Sequence, residues 1–342
     1  MDRTRSRRIA GALVAATALV ATQLAAGSAT PAAAAEDPLC STAPASGDPF
    51  YNGPSASRVY DAHFRLGVPI PAGLLDGRYD PQGVAAWSNW NGTGEDLLLI
   101  SAYEDTNGDK EPDGPSAVFG VVASGSRHGQ GLGRMLIGQG HVGGLAVYGG
   151  WLYVGSEANI RGYRLSTLKS ELQGANTSTV QPTAYNRPSS FTVGFMGTGD
   201  GHLWAGAFDE DTSTHLNGYA QSSRTTGALS YDDSLQAYAP KKTQGVTVTS
   251  QRVIFSTSFK RTDRGNIWVM PRGQQTLTDA NSYCFRAPSM NEGITQLNGR
   301  LYLGFESAAY TYNHTSDVPV NRVRWVHSAD TSDVAALYGR AD

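Results

Sequence analysis

The chain has 342 residues, is 40% hydrophobic and 17% charged, and carries a formal net charge of −3 at pH 7. A mildly acidic balance excludes the basic footprint of a nucleic-acid or anionic-membrane binder. Two cysteines with no C-x-x-C spacing exclude a thiolate metal cluster.

The first 35 residues read as a secretory signal peptide. Arg3, Arg5, Arg7 and Arg8 precede an apolar run from Ile9 to Ala26, and Ala33-Ala34-Ala35 before Glu36 offers a cleavage site. The run is also long enough to span a bilayer, so an uncleaved anchor is the competing reading. Arg7-Arg8 resembles a twin-arginine signal, but Ala10 stands where that signal prefers an aromatic, which favours ordinary secretion. Cleavage leaves a secreted, extracellular chain of charge −6, a monomer with no membrane attachment. In that compartment Cys40 and Cys284 are expected to pair, two separate buried thiols being the alternative.

Residues 36–81 form a lead-in rich in Gly, Pro, Ser and Asp, with an extended-looking piece at Arg58–Leu66. It either wraps the first repeat or donates an outer strand to the last, since an open ring of sheets leaves unpaired edges. From residue 82 to 342 one hairpin pattern recurs five times, at a spacing of about fifty residues. Its copies are Gln82-Gly83-Val84-Ala85 with Leu97–Ser101, Gly143–Tyr148 with Trp151–Gly155, Ser190–Val193 with His202–Gly206, Gln244–Thr247 with Arg252–Ser256, and Glu292–Thr295 with Arg300–Gly304. The first repeat shows four strands, at Gly83–Trp87, Leu97–Tyr103, Ala117–Ala123 and Arg134–Ile137. A helical turn is expected at Ser166–Leu172 and a final strand at Arg322–His327. Ser101, Gly155, Gly206, Ser256 and Gly304 are small at one aligned place, as strands converging on an axis require. The fold expected is all-β, a five-bladed β-propeller of four-stranded antiparallel blades, with a sandwich or solenoid as the alternative.

In such a ring the residues that start each inner strand face the channel mouth. They are Gln82, His141, Ser189, Gln244, Asn291 and Glu292. His141 and Glu292 are the candidate acid/base pair, and Gln82, Ser189, Gln244 and Asn291 the candidate ligand-binding groups. The bland alternative is that these side chains only satisfy backbone groups. The ends of the second strands make another charged ring: Glu104, Asp105, Glu157, Asp209, Glu210, Lys260, Arg261 and Glu306. A carboxylate pair about 5–9 Å apart there would suit sugar hydrolysis.

The loop Asp105-Thr106-Asn107-Gly108-Asp109-Lys110-Glu111-Pro112-Asp113 alternates oxygen-bearing side chains. It resembles the D-x-N-x-D core of calcium loops in EF-hands, dockerins and thrombospondin-like repeats, implying a structural calcium on Asp105, Asn107, Asp109 and Asp113. The glycine after the third acidic residue and the distal glutamate of the EF-hand are missing, and an ion-free acidic turn is the other reading. No G-x-S-x-G elbow, H-E-x-x-H helix or phosphate-cradling loop is present. Most of the six tryptophans lie on strand patterns and are expected in the core.

The repeated strand pattern from Gln82 onward resembles secreted bacterial five-bladed β-propellers. Gln82-Gly83, Gln244-Gly245 and Glu292-Gly293 are similar to the corresponding positions of propeller-type glutaminyl cyclases, although that family's other acidic and Trp-containing signatures are absent here. Five-bladed propellers also include glycosidases and sugar-binding lectins. Because the strand starts differ between repeats, the expectation is a single asymmetric polar site at the channel mouth. It would serve a carbohydrate-active or other extracellular hydrolase or lyase acting on a small-molecule or glycan ligand. A non-catalytic ligand-binding or scaffold protein is the alternative.

Overall fold

Short runs of β-branched, aromatic and small residues, cut by Gly and Asn-Gly turns, make the chain β-structure almost throughout. The computed structural model describes residues 40–174, 177–188, 191–273, 281–314 and 318–339. The leader expected at 1–35 lies outside the described residues. The chain begins with α1 (Arg58–His63), β1 (Phe64–Pro69) and α2 (Ala72–Leu75). An antiparallel meander follows: β2 (Tyr79–Trp87), β3 (Leu97–Glu104), β4 (Ser116–Val122) and β5 (Gly131–Ile137). Next come β6 (Gly144–Tyr148), β7 (Trp151–Ser156), β8 (Asn159–Arg164), α3 (Leu165–Gln173) and β9 (Ala184–Asn186). Then run β10 (Phe195–Gly199), β11 (His202–Gly206), β12 (Thr214–Ser223) and β13 (Ala228–Ala239), and after them β14 (Thr243–Val248), β15 (Arg252–Thr257), β16 (Gly265–Pro271) and β17 (Tyr283–Ala287). The chain ends with β18 (Asn291–Leu297), β19 (Arg300–Phe305), α4 (Tyr310–Asn313), β20 (Trp325–Asp330) and α5 (Thr331–Ala335).

The strands form sheets of four, twelve and four. Within the twelve-stranded sheet, β10 touches β6 only at Met196–Gly144 and β14 only at Gly199–Val248, in parallel. All other pairings in it are antiparallel neighbours in sequence. The last sheet runs β1-β20-β19-β18, so the lead-in supplies its outer strand by pairing β1 with β20. Arg58–Leu66 is not one extended piece, however. The Ser57 hydroxyl caps α1 by accepting from the Tyr60 amide at 3.0 Å, and the helix stops where Phe64 joins β20. The final strand also lies later than expected, at Trp325–Asp330.

The first strands of the successive meanders lie side by side. β2 packs on β6, β6 on β10, β10 on β14, β14 on β18, and β18 returns to β2. The approach is too close for side chains: a Cβ on Gly293 would stand 2.2 Å from the Val84 nitrogen, and one on Gly245 2.5 Å from the Ile294 nitrogen. The small residues of the second strands answer the same crowding. Ser101 donates to the Val142 carbonyl at 2.7 Å and Ser256 donates to the Glu292 carbonyl, so each hydroxyl ties its own meander to the next. Between meanders the core is apolar, for example Ile254, Ile267 and Phe285 against Leu301, Leu303 and Phe305. Each such side chain contributes about 1.5–3 kcal/mol by burial. Trp90, Trp151, Trp204 and Trp268 are buried in this packing, whereas Trp325 is 38% exposed. Cys40 and Cys284 form a disulfide that ties the N-terminal segment to β17. Among the described residues, no helix is long and apolar enough to cross a membrane.

Candidate functional site

The three x-Gly dipeptides are places where strand pairing slips. Register shifts lie between Pro81 and Val84 on β2, between Thr243 and Gly245 on β14, and between Asn291 and Ile294 on β18. A bulge of this kind releases residues from the ladder and re-aims their side chains. Here the released residues are Gln82, Gln244 and Glu292. Left-handed backbone precedes the same strands, at Arg78 (φ 60°), Lys242 (φ 64°) and Met290 (φ 58°), and Val142 (φ 51°) holds the same place before β6. Val142 is β-branched and fully buried, a combination that costs on the order of 1–3 kcal/mol and survives only where packing enforces it.

Around these bulges lies a nest of buried carboxyl and phenol groups. Asp80 (fully buried) and Gln82 come from β2, Tyr103 from β3, Glu292 from β18, and Glu306 from just past β19. Thr311 and Tyr312 come from α4, and Arg261 from the loop after β15. Glu306 Oε2 accepts from Gln82 Nε2 at 3.0 Å and from the Tyr312 hydroxyl at 3.1 Å. The Arg261 guanidinium lies over the Tyr312 ring at 4.8 Å. Glu292 is 1% exposed, and its Oε1 is buried without a partner. Both Asp80 oxygens are also buried without a well-formed hydrogen bond, the Tyr103 and Thr311 hydroxyls lying close enough to bias its titration.

These groups titrate far from their usual ranges. Burial lifts Asp80 to about 7; the Tyr103 hydroxyl opposes the rise and the Asp105 charge adds to it. Burial raises Glu292 as well, reinforced by the charge of Glu306, with which it is in hydrogen-bonding reach. Glu306 is raised by burial and by Asp80, against the stabilising bonds from Tyr312 and Gln82. Tyr103 and Tyr312 are pushed upward by burial and by the surrounding carboxylates, so both remain hydroxyl donors. Two neighbouring carboxyls cannot both ionise at low cost, and with Glu306 raised to about 8 and Glu292 raised as well the pair is protonated near neutrality, giving up its first proton only in mild alkali.

A cavity of about 390 Å³ reaches this nest, lined by Gln244, Lys260, Arg261, Met290, Glu306 and Tyr312 among others. Glu306 is deep-set but keeps part of its surface open to that space, so its carboxyl is within reach of a molecule in the cavity. A larger cleft elsewhere, beside β9 and β12–β13, contains none of these groups.

Of the residues expected from sequence, Gln82, Gln244 and Glu292 come together here. Asn291 is fully buried, with its amide nitrogen placed to donate to the Pro288 and Thr257 carbonyls at 3.2 Å, and so holds the turn. Ser189 lies outside the described residues. His141 stands at the exposed rim, where Nε2 meets Glu111 Oε2 at 3.0 Å and the ring contacts Tyr103 at 5.2 Å. The oxygens of Asp105, Asn107, Asp109 and Asp113 accept hydrogen bonds within their own loop, from the amides of Gly108, Lys110, Asp109, Glu111 and Thr106. Asp105 is buried and takes a long 3.4 Å contact from the Thr311 hydroxyl, which couples the loop to the nest. Among the described residues, no three His, Cys, Asp or Glu side chains converge to hold a metal.

Sequence reasoning passed over Asp80, Tyr103, Thr311 and Tyr312, and it placed Glu306 and Arg261 only among strand-end charges. Asp80 left one signal: it is a lone charge two residues before Gln82, on the same face of a strand. Tyr312 left none, because only the return of α4 to the mouth brings it there.

No protein-family model matches this sequence, and no curated protein matches it. Similar solved structures are propeller proteins. Glutaminyl cyclase of Myxococcus xanthus is 11% identical over 78% of this chain and 94% of its own, with a TM-score of 0.46. The PQQ-bound aldose sugar dehydrogenase of Streptomyces coelicolor is 13% identical over 78% of this chain and 97% of its own, with a TM-score of 0.39. The WD40 propeller domain of Doa1 is 15% identical over 71% of this chain and 69% of its own, at 0.33. At these scores the likeness names no reaction.

Proposed function

We propose that this chain is a secreted five-bladed β-propeller enzyme with one asymmetric acid–base site at the mouth of its channel. The blade count rests on the circuit of β2, β6, β10, β14 and β18, the first four each opening a four-stranded meander and β18 a three-stranded one that β1 completes. Secretion rests on the leader and on the disulfide, a bond that persists in oxidising compartments.

One observation carries the chemistry: the buried Glu292 and the deep-set Glu306, the latter held by Gln82 and Tyr312, are neighbouring carboxyls whose charges oppose each other beside an accessible cavity. The protonated member donates to a leaving or carbonyl oxygen while its ionised partner accepts a proton from the attacking group. Tyr312 and Gln82 orient Glu306, and Arg261 limits the charge that accumulates as the proton moves. The cavity suits a small polar molecule or a chain end rather than the middle of a polymer. His141 and Glu111 lie at the rim, where they contact what enters rather than the carboxyl pair.

The test compares wild type with Glu292→Gln and Glu306→Gln on amide, ester and glycosidic substrates of small size. Each variant is expected to lose at least about a hundredfold in kcat, the usual contribution of a positioned acid or base. The wild-type rate should rise as pH approaches about 8, where Glu306 ionises, and fall at higher pH as Glu292 loses its proton. Full turnover in both variants removes the dyad from the mechanism. Ligand binding without turnover in wild type would leave a non-catalytic binding propeller.

A further inference from the structure

The third meander departs from the others in a way that the axial site does not use. Strands β12 and β13 are 10 and 12 residues long, where most others have five to seven. Their hairpin therefore overhangs β9 of the preceding meander, and a cleft of about 890 Å³ opens beside them. That volume sits at the large end of small-molecule sites. The β12–β13 ladder also breaks there: Asn217 pairs with Gln236 but Gly218 pairs with Asp232, which leaves Asp233, Ser234 and Leu235 unpaired on one side. Such bulges commonly re-aim side chains next to binding sites. Here Asn217 and Gln236, the last pair before the break, both line the cleft.

The chemistry of the lining is selective. Tyr185 is 64% exposed and Tyr231 46% exposed, two of the few large apolar side chains left in solvent, and both line this cleft. Around them stand amides, hydroxyls and the His215 imidazole, with no Asp or Glu in the described lining. Arg187 is the one cation among the described lining residues and donates to Asn159 Oδ1 at 3.4 Å, and a single charge is far short of the row of cations that grips an anionic polymer. Exposed tyrosine faces suit the C–H faces of pyranose rings, and the Ser213 and Thr214 hydroxyls and the His215 imidazole suit their rims.

We propose that the cleft between β9 and the β12–β13 hairpin is a binding site for a neutral oligosaccharide, separate from the axial acid–base site. It does not rest on the reading of that site. It anchors the protein on a glycan while the axial cavity handles a small substrate.

The experiment is isothermal titration of the mature full chain with maltohexaose, cellohexaose, xylohexaose, mannohexaose and chitohexaose. Wild type runs beside Tyr185→Ala, Tyr231→Ala and Glu306→Gln. Both tyrosines are surface residues, so the variants are expected to fold, which circular dichroism checks. At least one hexaose should bind wild type, weaken about tenfold in each tyrosine variant, and bind Glu306→Gln unchanged. The proposal is overturned if none of the five binds, or if binding survives both tyrosine substitutions. It is equally overturned if binding is lost in Glu306→Gln, which would place the sugar in the axial cavity.

Discussion

At the residue scale the site is defined by groups that folding makes uncomfortable. Asp80 has no well-formed hydrogen bond, no exposure, and a carboxyl pushed to about 7. Its folded value lies above its unfolded value of 3.8, so the folded state holds the proton more tightly. Any stability this group lends is present below about pH 4 and is lost as pH rises towards 7. Asp80→Asn should therefore leave stability unchanged in acid and raise it above neutrality, by up to about 4 kcal/mol over the whole window. Urea melts at pH 4 and pH 8 decide it, and equal or lower stability of the variant at pH 8 would mean that Asp80 is bonded more favourably than its geometry shows. His327 works the other way. It is buried among Phe50, Tyr51 and Phe305, its Nδ1 meets the Tyr60 hydroxyl at 2.7 Å, and burial depresses it to about 3. Its contribution is present above about pH 6.5 and is lost as the medium is acidified towards 3. Both shifts have one cause, burial that disfavours the charged form, and they tilt the pH profile in opposite directions because one group is an acid and the other a base.

At the scale of elements, the bulged first strands connect fold and site. Gly293 does two things: it lets β18 press against β2, and it allows the break in pairing that frees Glu292. Gly293→Ala would place a methyl group 2.2 Å from the Val84 nitrogen, backbone that has nowhere to move. The expected cost is about 3 kcal/mol or more, because overpacking here strains a closed circuit rather than a free edge. A loss well under 1 kcal/mol in denaturant titration would show that the contact relaxes easily. The 105–113 loop makes a second case. Its side chains are taken up by their own backbone amides, and Asp113 is held below the usual carboxylate range chiefly by the Thr106 hydroxyl. EDTA is therefore expected to leave the melting temperature unmoved, whereas a clear drop restored by calcium would establish the structural ion that the D-x-N-x-D pattern implies. The motif was legible as a turn because Asx side chains close turns whether or not an ion is present.

Across the whole molecule, closure is made by strands far apart in sequence. β1 completes the last sheet from the N-terminal side, and Cys40–Cys284 ties the segment before it to β17. The bond spans 244 residues, so its removal should cost up to about 5–6 kcal/mol through the unfolded chain. Cys40→Ser with Cys284→Ser should lower the melting temperature by several degrees and leave the acid–base site unchanged, because neither cysteine touches the mouth. Loss of ligand binding in a variant that is still folded would mean that the tie also positions the site. The chain's β character, its repeat spacing, its small second-strand positions and the cysteine partners were all legible in the order of residues. Each follows from a local rule: alternation of period two, turn chemistry, or a count of two thiols. Gln82, Gln244 and Glu292 were legible for the same reason, since a dipeptide that repeats at the start of a strand marks a repeated backbone event. The tertiary structure alone decided which acids are buried together. Asp80 and Glu306 are 226 positions apart, Tyr312 reaches the mouth on a one-turn helix, and His141, level with the inner strands in sequence, turns outward to Glu111. Burial sets the titration of these groups, and burial depends on how the sheets close around them. No stretch of sequence carries that information by itself.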